Sequence, residues 1–138
     1  MKETVVITVP SHPKYLSVIR ATTITFGKLS GIGEDRIEEI KLAIDEACAN
    51  VIKHAYRGDT TKKIVVKYTI SKNVFTVAIE DQGLKAQIDS MQGRDLNDIR
   101  PGGLGIHFIR KVFEGFRFDD KKKKGNRLIM TKNLHGNQ

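Results

Sequence analysis

From Glu34 to Tyr56 the chain carries one long helical signal, and the rest of the fold has to be built around it. Plotted at about 100° per residue, Ile37, Ile40, Ile44, Cys48, Val51 and Ala55 form a continuous apolar stripe. Such a stripe demands a second layer to cover it. Glu34 and Asp35 open the segment, where acidic residues suit the positive end of the helix dipole, and Arg57-Gly58-Asp59 turns the chain after it. Glu46 and Asn50 fall beside the stripe, one helical turn apart, next to the small residues Ala43 and Ala47. A carboxylate that can take a proton, one turn before an amide oxygen that can coordinate a hard cation, is a pair suited to Mg-dependent phosphoryl chemistry. Taken alone, the same pair also reads as two solvated surface residues.

The flanking segments supply that second layer. Thr4 to Val9 reads as a short strand with Val5, Ile7 and Val9 on one face, stopped by Pro10. Ser11 is a fair N-cap, Pro13 suits an early helical position, and a first helix runs to about Leu29 before Ser30-Gly31-Ile32-Gly33 ends it. Lys63 to Ile70 and Val74 to Glu80 alternate as two strands joined at Ser71-Lys72-Asn73. Leu84 to Pro101 loses periodicity and reads as a long functional loop. Ile106, Phe108, Ile109, Val112 and Phe113 then mark a helix behind Gly102-Gly103-Leu104-Gly105, and Phe116 to Phe118 with Asn126 to Thr131 form a closing hairpin. The expected fold is α+β, a two-layer sandwich of a mainly antiparallel sheet with helices on one face. Residues 1–138 are expected to form one domain, since a chain of 138 residues supports a single core.

Three short motifs carry the chemistry: Glu46 to Asn50 as E-x-x-x-N, Asp81 to Gly83 as DQG, and Gly102 to Gly105 as GGLG. In this order and spacing they resemble the nucleotide-binding boxes of the GHKL (histidine-kinase-like) ATPase superfamily, with its Bergerat-type fold. VPSHPKYLSVIR, DEACANVIKHAY and GGLGIHFIRKV are similar to the anti-sigma-factor serine/threonine kinase branch, and the resemblance runs from about Val5 to Leu134.

That resemblance implies ATP and Mg as cofactors, with Glu46 orienting or deprotonating a substrate serine and Asn50 holding Mg. It implies that Asp81 accepts from the adenine amine and that Gly83 lets the backbone approach the base. Gly102, Gly103, Leu104 and Gly105 would shape the phosphate end, helped by a helix N-terminus. The segment at about 84–101 would be the ATP lid, with Arg94 and Arg100 as phosphate contacts. Lys53 reads either as a phosphate-facing ammonium or as a solvated lysine. Arg20 would grip protein partners: a sigma factor of RNA polymerase and a phosphoacceptor anti-anti-sigma protein. Relatives also resemble homodimers. Two positions depart from the family pattern, Lys85 in place of a second glycine, and Arg127 where the last strand often carries a threonine near the adenine pocket; Thr131 lies too far along to replace it.

The implied function is an anti-sigma factor and ATP-dependent serine kinase in a partner-switching module. The alternative is an ATP-binding or nucleotide-free anti-sigma module without kinase activity. A net charge of +8 favours anionic partners. Seven per cent aromatics and no tryptophan give little support to a nucleic-acid stacking platform, and direct nucleic-acid binding is not expected. No membrane span or signal-peptide core is expected, which places the chain in the cytoplasm. The basic run Lys121 to Lys124 reads as a solvated hairpin tip, His54 and His107 as structural, and the lone Cys48 as a buried small hydrophobe.

Overall fold

The computed structural model describes residues 2–86 and 103–134. In chain order the elements are β1 (Lys2–Pro10), α1 (Leu16–Leu29), α2 (Glu34–Asn50), β2 (Lys63–Ser71), β3 (Val74–Asp81), α3 (Gly103–Val112), β4 (Gly115–Phe118) and β5 (Asn126–Asn133). The strands form one five-stranded antiparallel sheet in the order β1-β2-β3-β5-β4.

Alternation decides which face of the sheet is covered. Ile64, Val66 and Tyr68 of β2, Phe75, Val77 and Ile79 of β3, and Leu128 and Met130 of β5 are all buried and share one face through the strand register. Against them pack Ile19 and Phe26 of α1, Ile37, Ile40, Ile44 and Cys48 of α2, and Ile106, Ile109 and Val112 of α3. The expected α+β sandwich is therefore the observed one. Burial pushes the Cys48 thiol far up, with Asp45 adding to the shift, so this cysteine is an inert core residue.

Local chemistry sets the connections. Lys72 and Asn73 have φ of 52° and 63°, the two-residue mirror-image turn whose twist matches a β-hairpin. After α1, Ile32 N–H donates to Gly27 O and Gly31 N–H to Lys28 O, with Gly31 at φ 80°; this left-handed cap satisfies the last carbonyls of the helix. Ser11 differs from expectation. It does not cap a helix; it is fully buried, its Oγ donating to Asp59 O and accepting from Lys62 N–H. His12 takes the capping role, its Nδ1 accepting from Lys14 N–H ahead of a single 3₁₀ turn, Pro13–Tyr15.

The predicted central helix is also not α-helical throughout. Val51–Ala55 form a π-helical turn, closed by Tyr56 N–H donating to Val51 O at 2.9 Å. The wider turn shifts the apolar stripe: Ile52 is buried and Val51 only partly so. Among the described residues no helix is long and apolar enough to cross a membrane.

Candidate nucleotide site

Two elements carry the polar residues, and the π turn sets the distance between them. Glu46 and Asn50 lie on the last turns of α2. Asp81 ends β3, and its turn is pulled against the π segment: Leu84 N–H donates to Ala55 O at 2.8 Å, and Gln82 N–H donates to Tyr56 Oη at 2.8 Å. The Tyr56 hydroxyl in turn donates to Lys63 O at 2.5 Å. Burial raises the Tyr56 hydroxyl pKa, partly offset by the Gln82 N–H bond. Gly83 is required by this contact, since a β-carbon there would overlap the Ala55 carbonyl.

Asp81 is 3% exposed. Its Oδ1 accepts from Gly83 N–H at 2.8 Å and from Asn126 Nδ2 at 3.0 Å. Burial pushes its carboxyl up from the ordinary value, while those two donors pull it back toward ionisation. The result is a buried carboxylate fixed in place, able to accept a bond from a ligand's N–H.

At the other end Glu46 lies against the first turn of α3. A β-carbon at Gly105 would overlap the Glu46 carboxylate as it is placed, so a larger residue there would push that side chain aside. Asn50 Oδ1 is buried and has no hydrogen-bond partner among the described residues. An orphaned buried amide oxygen is costly, and it fits a hard-cation ligand. Among the described residues no group of three or more His, Cys, Asp or Glu could hold a metal by itself. Mg²⁺ is commonly held by one or two protein groups together with substrate phosphates.

The other predicted residues fall as follows. Gly103 and Leu104 begin α3, whose N-terminal amides are oriented for anions. Lys53 and His54 are exposed on the π turn. Arg20 Nη1 is paired to Asp45 Oδ1 at 2.6 Å, on the exposed side of α1 and α2. Arg94, Arg100 and Gly102, with most of the loop expected at 84–101, lie outside the described residues.

One assignment on the last strand is corrected. The register pairs Asp81 with Asn126 and Glu80 with Arg127, so Asn126 and not Arg127 faces the pocket. Arg127 lies on the opposite face, with Nε 3.1 Å from Glu80 Oε2 and Nη1 2.9 Å from Asp119 Oδ2. At the basic tip Lys121, Lys123 and Lys124 are exposed as expected, whereas the Lys122 side chain is 13% exposed beside Glu80 and its carbonyl accepts from Lys85 Nζ. Asn126 and Tyr56 were not singled out from sequence. The available signal was the glycine at 125, which immediately precedes the strand that Asn126 opens.

With this geometry in view, residues 9–132 match the histidine kinase-like ATPase domain, and the chain belongs to that family. The chain is similar to the serine-protein kinase RsbW of Bacillus subtilis, 29% identical over 93% of this chain and 84% of the relative. It is 26% identical to RsbW of Listeria monocytogenes serotype 4a, over 100% of this chain and 92% of that protein. Among solved structures, the RsbU and RsbW domains of a Mycobacterium tuberculosis protein superpose with a TM-score of 0.68 at 18% identity, over 96% of this chain and 32% of that one. A blue-light activated histidine kinase of Erythrobacter litoralis gives a TM-score of 0.58 at 14% identity, over 91% of this chain and 42% of that one. These two likenesses speak to the fold.

Proposed function

We propose that the protein binds Mg-ATP between α2, the Asp81 turn and α3, and transfers the γ-phosphoryl group to a serine of an anti-anti-sigma protein. The observation that carries this reading is the pairing of Glu46, set against Gly105 at the start of α3, with the buried, unpartnered Asn50 oxygen one turn away. Phosphoryl transfer is accelerated mainly by positioning and charge stabilisation, and this end of the site supplies both. Glu46 orients the serine hydroxyl or takes its proton. Asn50 would hold Mg²⁺, which when bound neutralises charge on the phosphates. Asp81 accepts from the adenine amine, and the glycines at the start of α3 admit phosphate oxygens to backbone N–H groups.

In the same reading the chain is one cytoplasmic domain that acts as a homodimer and captures a sigma factor. Arg20, held by Asp45, contacts the protein partners. The test is to incubate the protein with Mg-ATP and its candidate anti-anti-sigma partner and to locate phosphoserine by mass spectrometry, with calorimetric ATP titration of the wild type and Asp81→Asn. Phosphoserine on the partner, and ATP binding that depends on Mg²⁺ and on Asp81, are the expected results. ATP binding without phosphoserine on any partner would favour the kinase-free anti-sigma module.

A further inference from the structure

Asn126 opens β5 directly opposite Asp81 and is 7% exposed. An amide at that depth must satisfy its donors and its carbonyl within the protein. Nδ2 donates to Asp81 Oδ1 at 3.0 Å, to Asp81 Oδ2 at 3.3 Å and to Leu84 O at 2.8 Å, and Oδ1 accepts from Ala86 N–H at 2.8 Å. One side chain therefore binds the carboxylate that ends β3 and the backbone on both sides of Lys85. Gly125 makes this approach possible. It has φ of 72°, and a β-carbon there would overlap the Asp81 carbonyl.

The distribution of these bonds is uneven. Gly83 N–H and the shorter Asn126 bond both load Oδ1, leaving Oδ2, among the described residues, with the 3.3 Å contact alone. Oδ2 is thus the oxygen with capacity to accept from a ligand. A buried acceptor held in one place discriminates sharply: a ligand amino group pairs with it, whereas a ligand carbonyl meets it lone pair to lone pair.

We infer that Asn126 is a positioning residue that sets base selectivity, holding Asp81 with Oδ2 presented as an acceptor so that the pocket takes a purine with an exocyclic amine and rejects one with a carbonyl at that edge. This rests on the proposed reading that Asp81 meets the base. It adds a residue that does not itself need to touch the nucleotide.

The experiment is calorimetric titration of the wild type, Asn126→Ser and Asp81→Asn with ATP and, separately, with GTP. Asn126→Ser is expected to lose about tenfold in ATP affinity while GTP affinity changes by less than about twofold, so that selectivity collapses. Equal weakening of both nucleotides, the mark of a merely structural role, would overturn the inference. Asp81→Asn separates the two claims. If it binds ATP like the wild type, the base-site reading itself fails; if it loses ATP while Asn126→Ser keeps full selectivity, only the role of Asn126 fails. A measurement on the wild type requires no variant to fold: the Asn126 side-chain amide resonances should shift with ATP and not with GTP. An unmoved Asn126 amide beside a shifting Gly83 amide would also overturn it.

Discussion

The two ends of the candidate site are built on opposite plans. At the Asp81 end the polar groups are tied to the protein: the carboxylate to Gly83 and Asn126, the turn to Ala55 O and Tyr56 Oη, and Asn126 to Leu84 and Ala86. At the Glu46 end a buried amide oxygen has no partner among the described residues, and a carboxylate sits where any residue larger than glycine at 105 would displace it. The first plan is that of a rigid recognition surface, whose selectivity comes from fixed acceptors and donors. The second leaves interactions to be completed by ligand and metal, as expected where binding energy is directed at reacting groups. In the proposed reading, recognition at the Asp81 turn and chemistry at the end of α2 are thus separated, with the π turn between them.

Substitutions at each end should therefore fail differently. The largest expected effect is at the chemical end: Glu46→Gln should lower serine phosphorylation by about 100-fold or more, the range for loss of a positioned acid–base group, with ATP affinity nearly unchanged. Single-turnover kinetics would show this, and an equal loss of affinity would blur the division. At the recognition end, Gly83→Ala forces a β-carbon into the Ala55 carbonyl and should cost about 2 kcal/mol of stability along with ATP binding. Denaturant unfolding and calorimetry together would test it. Tyr56→Phe leaves Gln82 N–H without its acceptor and should cost about 1–2 kcal/mol, weakening ATP binding without altering the metal requirement.

The smallest expected effect on stability is the most diagnostic. Asn50→Ala removes a buried unpaired oxygen, so the nucleotide-free protein should be as stable as the wild type or more stable by up to about 1 kcal/mol, while Mg-dependent phosphoryl transfer is lost. A clear fall in melting temperature without ligand would mean that Asn50 serves the fold, and the contrast between the ends would break down.

Much of the fold was legible because its elements are strongly periodic. The stripe from Ile37 to Cys48 and the alternation in β2 and β3 leave one way to bury the apolar side chains, and the structure follows it. Glu46, Asn50, Asp81 and Gly83 were legible as candidates because they fall in short motifs of fixed spacing. Asn126 was not. A one-residue change in register moves every side chain of a strand to the other face, and only the pairing of Asp81 with Asn126 shows that Arg127 points away. Ser11 was misread for a related reason, since its hydroxyl serves Asp59 and Lys62, 48 and 51 residues away, and not the helix that follows it.

By itself the sequence determined the α+β layering, the single buried face of the sheet and the polar residues of the motifs, because these depend on local spacing and on the need to cover apolar surface. Tertiary structure alone decided the π turn at Val51–Ala55, the contact of Glu46 with Gly105, and the clasp of Asn126 on Asp81. Each of these depends on how two distant segments share a few ångströms of space, and no local pattern of residue types encodes that distance.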